Sequence, residues 1–442
     1  MKAHTLELAF RKQVSVLSEY RRWVIGFSGG VDSAVLLHLC ATVPDHPPIT
    51  LIHVNHKLQS VADQWQCFSE KIAKTYKVGF HSQAVELASA AEAVARDARY
   101  HVFEGYLEAD DCLLLGHHAD DQMETMLFRL CRGTGPDGLA GIPKSRAVGT
   151  AQLFRPLLDF TRRDIEEYAS EKQLEWVEDP SNAESHYDRN YIRHNVIPSL
   201  EQRWSGCQSL WQQAAELQAV QNQLLDEIAQ ENLESVLETF GGLSCEGLSS
   251  FSHNRQRNLL RYWLYRSAGE RLNSAALDVI QQQVVGAGQD RQPEYRLGSC
   301  SIRRYRNCLF LVPSHRPEAL EIELRLVSGE TVLKHGQLIV SEVVTGGLKK
   351  CGALSLRYRT GGEKIQLPGR EGRHSVKKLL KDTGIPPWLR SGWPLLYQSD
   401  QLVAIPGVAI AEGWQQKEEG ESGYSLNWLP VTLSDSADFA TL

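Results

Sequence analysis

The 442-residue sequence has no C-x-x-C pair, and its nine cysteines are irregularly spaced. A disulfide framework or a zinc ribbon would show tighter cysteine pairing, so we interpret the cysteines as reduced thiols. No apolar run is long enough to span a membrane. The first residues, MKAHTLELAFRK, lack the apolar region of a secretory signal. These absences predict a cytoplasmic protein with no membrane partner.

An excess of positive charge is also absent, since the formal net charge is -7. Nucleic-acid binding needs Lys and Arg to neutralise phosphates, and the net charge alone argues against it. The charges are segregated, however, and a local patch can bind where the average does not. The segment from Lys349 to Lys381 contains ten basic residues, and its only acidic residues are Glu363 and Glu371. The ten are Lys349, Lys350, Arg357, Arg359, Lys364, Arg370, Arg373, Lys377, Lys378 and Lys381.

The first half of the chain alternates short apolar strands with helices, which predicts an α/β fold with a doubly wound, Rossmann-like parallel sheet. Such folds bind ligands beyond the carboxyl ends of their strands. The predicted strands are Trp23–Phe27, Ile49–Val54, Val78–Val85, Cys112–His117 and Leu153–Leu158, and the predicted helices are Ala34–Cys40, Ala91–Glu108 and Asp120–Cys131.

The pattern changes after about Pro198. Leu210, Leu217 and Leu224 lie a heptad apart, but the run is short, and a bundle helix over Gln208–Phe240 is favoured over a coiled coil.

Helical signals continue over Asn254–Gln283, and a hairpin is predicted over Arg296–Val312 with its turn at Arg306-Asn307. From about Glu321 the chain is strand-rich, with one short helix at Val376–Asp382. The length is too great for one ordinary core. We therefore predict a catalytic α/β domain at 1–215, a mainly helical substrate-binding domain at 216–315, and a small α+β domain at 320–442.

The strongest local motif is SGGVDS, between the first strand and the first helix. Two glycines permit a tight turn and close approach of backbone to a ligand. The helix N-terminus offers unpaired N–H groups and partial positive charge, which favour phosphate. No Walker-type G-x-x-x-x-G-K-[ST] motif is present. The predicted nucleotide site comprises Ser28, Gly29, Gly30, Val31, Asp32 and Ser33, with Asp32 holding Mg²⁺ or capping the helix.

Two other polar segments follow strands. His53, Asn55 and His56 end the second strand and are expected to reach the nucleotide. The string GHHADDQMET begins at Gly116, after the fourth strand. His117, Asp121 and Glu124 fall at i, i+4 and i+7, which predicts one stripe of a helix. Carboxylates packed this closely predict a bound ligand, either Mg²⁺ or a substrate ammonium group. A zinc site is disfavoured because no suitably spaced Cys accompanies the histidines.

SGGVDS after a strand resembles the PP-loop of the ATP pyrophosphatase superfamily, whose members adenylate an oxygen and release pyrophosphate. Other strings resemble the tRNA(Ile)-lysidine synthase family, over nearly the whole chain. They are His53-Val54-Asn55-His56 (followed by Lys57, where the family has Gly), Ala95-Arg96-Asp97-Ala98-Arg99-Tyr100, His118-Ala119-Asp120-Asp121-Gln122-Met123-Glu124-Thr125, Arg132-Gly133-Thr134-Gly135, Glu178-Asp179-Pro180-Ser181-Asn182, Tyr187-Asp188-Arg189-Asn190-Tyr191-Ile192-Arg193, Leu367-Pro368-Gly369-Arg370, Lys377-Lys378-Leu379-Leu380 and Ile385-Pro386-Pro387-Trp388-Leu389-Arg390.

The resemblance implies ATP and Mg²⁺ as cofactors, and free L-lysine and a CAU-anticodon isoleucine tRNA as partners. The wobble cytidine would be adenylated and then attacked by the lysine ε-amine. The implied catalytic residues are Asp32, His118, Asp121, Glu124 and Arg193, with Mg²⁺ on Asp32 and Asp121. The implied tRNA contacts are Arg96, Arg99, Arg370, Arg373, Lys377 and Lys378, which makes 320–442 a tRNA-binding domain.

Several alternatives stay open at this point. Another PP-loop tRNA-modifying enzyme such as a thiolase is the main one, although a thiolase would need cysteine pairs. A glutamine amidotransferase would need an additional domain, and an RNA-binding protein with an inactive nucleotide fold would not need the intact acidic residues. The sequence leaves the oligomeric state open, a homodimer included, and does not separate the acidic residues that bind Mg²⁺ from those that bind lysine.

Overall fold

A computed structural model describes residues 3–57, 62–87, 92–178, 188–287, 293–298, 300–314, 321–416 and 422–431. The chain divides into two compact units, Met1–Leu224 and Leu225–Leu442. Among the described residues, no helix combines the length and the apolar character needed to cross a membrane.

The first unit contains a six-stranded sheet in the order β3-β2-β1-β4-β6-β5, parallel except for β5. Its strands are β1 Arg22–Gly26, β2 Ile49–Asn55, β3 Gly79–Ala84, β4 Asp111–Leu114, β5 Ser145–Val148 and β6 Ala151–Phe154. Its helices are α1 Ala3–Val14, α2 Val31–Ala41, α3 Ala62–Tyr76, α4 Glu92–Tyr106, α5 Ala119–Cys131, α6 Pro136–Leu139, α7 Arg162–Glu171, α8 Asp188–Tyr191 and α9 Ile197–Arg203, with a 3₁₀ turn at Ser15–Leu17 and a π turn at Ile192–Val196.

Alternation along β1 explains why helices cover both faces of this sheet. Trp23 and Ile25 belong to the core that also contains residues of α1, α2 and α7. Val24, between them, belongs to a second core that contains Val102 and Phe103 of α4. Successive side chains of a strand point to opposite faces, and both faces are apolar here. The predicted doubly wound parallel sheet is therefore confirmed.

Two local predictions in this unit were wrong. The strand predicted at Leu153–Leu158 runs over Ala151–Phe154 and forms an antiparallel hairpin with β5, which the sequence analysis missed. His117 does not share a helical stripe with Asp121 and Glu124, because α5 begins at Ala119 and His118 is its N-cap. The cap residue needs extended backbone, so His117 cannot be helical.

The predicted long helix is confirmed as α10, Cys207–Val236, but the leucines of its heptad pattern are not buried. Leu210, Leu217 and Leu224 are 56–63% exposed, and Val220 is 66% exposed. The interpretation as a bundle helix expected these leucines in a core. Instead, the buried positions of the helix are Cys207, Ala215, Ala229, Asn232 and Val236.

The second unit begins with a helical part and a five-stranded antiparallel sheet in the order β7-β8-β11-β10-β9. The elements are β7 Leu237–Glu238, β8 Gly242–Ser244, α11 Cys245–Ser250, α12 His253–Ala268, α13 Ser274–Ile280, β9 Glu294–Leu297, β10 Cys300–Tyr305 and β11 Cys308–Pro313, with a 3₁₀ turn at Thr239–Gly241 and a π turn at Gln281–Val285. The hairpin β10–β11, with its turn at Arg306-Asn307, confirms the prediction.

The remainder of the second unit is strand-rich, as predicted. It contains sheets in the orders β12-β16-β19-β20-β21, β13-β14-β22-β15 and β17-β18. The strands are β12 Glu321–Leu324, β13 Gly329–Leu333, β14 Gly336–Val343, β15 Leu348–Lys349, β16 Leu354–Tyr358, β17 Lys364–Gln366, β18 Arg373–Ser375, β19 Pro394–Gln398, β20 Gln401–Ile405, β21 Ala409–Ile410 and β22 Gly423–Pro430, and the predicted helix is confirmed as α14 Val376–Asp382. Val376 and Leu380 anchor α14 in an apolar core.

Candidate active site

The SGGVDS loop joins β1 to α2 at the carboxyl edge of the sheet. Gly29 has φ +89°, and a Cβ there would come within 2.8 Å of a methyl group of Val177, so the turn requires glycine. The Ser33 hydroxyl donates to the Gly30 carbonyl at 2.9 Å and lies 3.3 Å from Ser28 Oγ. Gly30 is the N-cap of α2 and supplies no side-chain cap. The first N–H groups of α2 are thus available to an anion.

The end of β2 contributes histidines and a structural asparagine. His53 Nδ1 lies 2.9 Å from the Phe27 carbonyl oxygen, and burial lowers the pKa of His53 against that hydrogen bond. Asn55 Nδ2 donates to Asp63 Oδ1, while its Oδ1 accepts from the Lys57 N–H at 3.0 Å. Lys57 has φ +51°, which is the backbone conformation that glycine adopts most readily. Asn55 therefore holds a left-handed turn at the position where the family pattern has glycine.

His56 follows in the same turn and is half-buried. Its Nδ1 is buried and has no hydrogen-bond partner among the described residues. Burial, and then the positive charge of Arg99, lower the pKa of His56. The ring is therefore a neutral group at the edge of the site.

His118 links the two carboxylates of the site. It caps α5 in a reciprocal capping box: the Asp121 N–H donates to His118 Nδ1, and Asp121 Oδ2 accepts the His118 N–H at 3.0 Å. Its Nε2 lies 3.7 Å from Asp32 Oδ1 and 3.5 Å from Asp121 Oδ2. A Cβ on Gly116 would lie 3.0 Å from the Asp32 carbonyl oxygen, so glycine lets the chain after β4 approach the first turn of α2.

The two carboxylates differ in their electrostatics. Burial raises the pKa of Asp32, while His118 and Arg162 oppose this effect. For Asp121, burial is outweighed by His118, by His117 and by the His118 N–H, and its pKa is lowered. Asp121 is therefore the more firmly ionised of the pair.

Glu124 and Arg193 form a buried ion pair between α5 and the π turn. Arg193 Nε lies 2.6 Å from Glu124 Oε1, Nη2 lies 2.9 Å from Oε2, and Nη2 also lies 3.5 Å from Asp121 Oδ1. The Glu124 side chain is 1% exposed, and that of Arg193 is 28% exposed. Burial raises the pKa of Glu124 in spite of Arg193. The bidentate geometry fixes Arg193 beside the carboxylates.

Sequence reasoning missed Arg162, the first residue of α7. Its Nη1 lies 3.8 Å from Asp32 Oδ2, its Nε donates to Glu166, and its backbone N–H donates to Asp120 Oδ2 at 2.7 Å. The only signal in the sequence is the capping residue Thr161 before it, which predicts a helix start and no more.

These groups surround one cavity of about 460 Å³, a size typical of small-molecule sites. Its wall includes most of the predicted residues: Ser28, Gly30, Asp32, Ser33, His53, Asn55, His56, Arg99, Asp121 and Arg193. It also includes His117, which the sequence analysis placed in the ligand-binding cluster, and Trp65 and Arg162, to which sequence reasoning gave no role.

Other predicted residues lie off this wall. Gly29 and Val31 shape the loop, and His118 and Glu124 are buried next to the carboxylates. Arg96 is exposed on α4, with its guanidinium 5.7 Å from the centre of the Tyr100 ring. The four C-terminal basic residues Arg370, Arg373, Lys377 and Lys378 belong to the second unit and are exposed on and next to α14.

One predicted segment is only partly described. Residues 179–187, which include Asp179, Pro180, Ser181, Asn182 and Tyr187, lie outside the described residues. Beyond them, Arg189 Nη2 donates to Thr125 Oγ1 at 3.0 Å, which ties α8 to α5.

Comparison with known proteins adds three family models and many relatives. A PP-loop domain matches residues 3–200, a TilS substrate binding domain matches 243–310, and a TilS substrate C-terminal domain matches 354–428. The tRNA(Ile)-lysidine synthase of Photorhabdus laumondii is 35% identical over 432 residues, 94% of this chain and 96% of that protein. Those of Enterobacter sp. (strain 638) and Pseudomonas syringae pv. tomato are 36% and 37% identical, covering 92% and 94% of this chain and 97% and 94% of theirs. The three family models match successive segments of this chain, and each relative is similar to it over nearly the whole length of both proteins. This chain therefore belongs to the tRNA(Ile)-lysidine synthase family.

Proposed function

We propose that this enzyme converts the wobble cytidine of a CAU-anticodon isoleucine tRNA to lysidine in two steps. The C2 oxygen of the base attacks the α-phosphate of ATP and pyrophosphate leaves. The ε-amine of free lysine then attacks C2, and the C2–oxygen bond breaks to release AMP. Family membership supports this reaction, and the observation that carries it is one cavity whose wall includes the first turn of α2, with Asp32, and Asp121 of α5.

ATP is expected to bind with its phosphates on the Ser28–Ser33 loop. The uncapped N-terminus of α2 supplies N–H donors and the helix dipole, and Ser28 and Ser33 supply hydroxyls. His53, Asn55 and His56, at the neighbouring strand end, would border the nucleotide. Arg162, 3.8 Å from Asp32, supplies a further positive charge for the leaving pyrophosphate.

Mg²⁺ fits the two carboxylates. Asp32 Oδ1 is buried and has no hydrogen-bond partner among the described residues, and Mg²⁺ is commonly held by one or two carboxylates together with substrate phosphates. No three His, Cys, Asp or Glu side chains in the described ranges form a metal site by themselves, so phosphate oxygens and water would complete the shell. When bound, Mg²⁺ neutralises phosphate charge, and Asp32 and Asp121 would hold it.

We assign the lysine side of the cavity to Asp121, beside which Glu124 holds Arg193. The ammonium must lose a proton before it attacks, and a nearby base would accept it. Asp121 lies on the cavity wall, while His118 fixes its orientation through the capping box. His118 and Asp121 are therefore the two candidates for this proton, and Arg193 would contact the phosphate of the departing AMP. Substitutions at His118 and Asp121 that leave the second step unchanged in single-turnover assays would rule this out.

Most of the tRNA affinity is expected from charge on the RNA backbone. Arg96 and Arg99 on α4, and Arg370, Arg373, Lys377 and Lys378 around α14, are the proposed contacts.

Replacing Lys377 and Lys378 by Ala should lower the salt slope of tRNA binding by about 2. As a matched control, Lys71 and Lys74 of α3 pair with Glu175 and Glu70, and their replacement should leave the slope unchanged. An unchanged slope for the α14 pair would refute the assignment.

The architecture proposed for these tasks keeps three domains, 1–215 for adenylation, 216–315 for substrate binding and 320–442 for tRNA binding. The family-model matches at 3–200, 243–310 and 354–428 support this division. The exposed leucines of α10 motivate the hypothesis of a homodimer. Comparing the sedimentation of the wild type with that of Leu217→Lys tests it.

The deciding experiment measures radiolabelled lysine in a CAU-anticodon isoleucine tRNA transcript, with and without ATP. We expect ATP-dependent label that Asp32→Ala abolishes. ATP consumption with RNA but without lysine label would remove lysine as the nucleophile and return the thiolase alternative.

A further inference from the structure

His117 is a histidine on the cavity wall that the proposed mechanism does not use. It lies between the end of β4 and the N-cap His118, and it borders the cavity together with Arg99 and Asp121. Its Nδ1 lies 3.3 Å from Nε of Arg155. A guanidinium only donates hydrogen bonds, so Nδ1 must be the acceptor. The single proton of the neutral ring then sits on Nε2, the nitrogen left for the cavity.

Arg155 follows β6 and is 2% exposed. All three nitrogens of its guanidinium are engaged: Nε with His117, Nη1 with the Pro143 carbonyl at 2.6 Å, and Nη2 with the Tyr100 hydroxyl at 3.3 Å. Within the described residues it pairs with no carboxylate. A buried cation without a carboxylate is costly, and a guanidinium held at three points has a fixed direction. Both facts indicate a group placed to orient its neighbour.

The surroundings keep the His117 ring neutral. Burial is the largest cause and lowers the pKa of His117; Asp121 opposes it, Arg155, Arg99 and Arg96 add to it, and the pKa falls to about 3. A charged imidazolium here would repel a lysine ammonium held at Asp121. A neutral N–H donor adds no such repulsion.

We propose that Arg155 is a positioning residue that fixes His117 as the Nε2–H tautomer, and that His117 donates this hydrogen bond to an oxygen atom of a bound substrate. The inference rests on the proposed function for the identity of the acceptor. That oxygen belongs either to a phosphate of ATP or to the target base. Both are acceptors that a neutral donor can bind.

The first arm of the test is spectroscopic and needs no turnover. In wild type labelled with ¹⁵N-histidine, His117 should show a protonated Nε2 and an unprotonated Nδ1. Arg155→Met should give a mixture of tautomers. Tyr100→Phe, which removes one anchor of Arg155 and leaves the His117 contact, should keep the wild-type signal. A protonated Nδ1 in wild type would overturn the proposal.

The second arm compares two amides at position 117. The Gln amide can reach the place of imidazole Nε2, whereas the Asn amide occupies the place of Nδ1. His117→Gln should stay within about threefold of wild type in tRNA adenylation, and His117→Asn should lose about 10- to 100-fold, the effect of one hydrogen bond to a charged or reacting group. A raised KM for ATP identifies a phosphate oxygen, and a lowered kcat at saturating ATP and tRNA identifies the base. Equal activities of the two variants would refute a donor role.

The third arm tests whether Arg155 acts through His117. Arg155→Met should lower activity in the wild-type background and have no further effect on His117→Asn, while Arg155→Lys should restore part of the loss. Additive losses would show a merely structural arginine and overturn its positioning role. A wild-type enzyme that adenylates no tRNA would contradict the proposed function, whereas the tautomer of His117 would still be decided by the first arm.

Discussion

The buried ion pair of Glu124 and Arg193 predicts that removing either partner lowers stability, but that only the loss of the arginine makes the deficit depend on pH. Removing one partner of a buried pair typically costs about 3–5 kcal/mol. Glu124→Gln leaves Arg193, which is 28% exposed and keeps Asp121 at 3.5 Å. Water and Asp121 therefore lessen the loss, and we expect about 2 kcal/mol, nearly independent of pH. Arg193→Met leaves a carboxylate that is 1% exposed, and we expect about 3–5 kcal/mol near pH 8.

The difference between the variants arises because a carboxylate can take up a proton and an arginine cannot lose one. Burial already raises the pKa of Glu124 in the native pair, and removing Arg193 raises it further. A folded-state pKa above the unfolded value stabilises the fold at low pH, and this contribution is lost as pH rises through the folded pKa. The deficit of Arg193→Met should therefore shrink as pH falls from 8 towards 5, by up to about 1.4 kcal/mol per pH unit.

Urea unfolding of wild type, both single variants and the double variant at pH 8 and pH 5.5 measures these free energies. The double-mutant cycle should give a coupling of about 2 kcal/mol at pH 8. A coupling below about 0.5 kcal/mol, or an Arg193→Met deficit as independent of pH as that of Glu124→Gln, would refute the reasoning.

Two further predictions concern the loop and the cavity wall. Gly29→Ala should lower the free energy of unfolding by about 1–2 kcal/mol for the left-handed backbone, and by a further amount for the clash with Val177. In a Val177→Ala background the contribution of the clash should disappear, which urea unfolding measures. Equal costs in both backgrounds would contradict the close contact. The lowered pKa of His117 contributes stability that is present above pH 6.5 and is lost as pH falls towards 3. Between pH 7.5 and 5.0 wild type should therefore lose about 2 kcal/mol more unfolding free energy than His117→Gln, and parallel curves would contradict a neutral ring.

Much of the first unit could be predicted because its signals are local. The central strands β1, β2 and β4 are short apolar runs buried on both faces, and the SGGVDS turn requires glycine at Gly29 for reasons of backbone geometry. The convergence of His53, Asp32 and Asp121 also followed, since carboxyl ends of adjacent parallel strands share one edge.

The rest depends on tertiary contacts that carry no motif. Arg155 and Arg162 belong to strings that match no motif, and only the fold places them beside His117 and Asp32. The heptad leucines of α10 satisfy a periodicity that predicts burial, yet periodicity identifies a face and not what covers it. The edge strand β5 is mostly exposed, so it has no apolar run to reveal it.

The distribution of charge around the cavity suits a reaction between an anion and a cation. ATP brings several negative charges and lysine brings a positive one, so a cavity of uniform sign would repel one substrate. Arg99 and Arg162 line the wall together with the free end of α2, whereas Asp32 and Asp121 meet at His118. Among these mixed charges a histidine is useful only if its own charge is fixed. A neutral His117, held by a cation that is itself buried, can donate to an oxygen without favouring either substrate over the other.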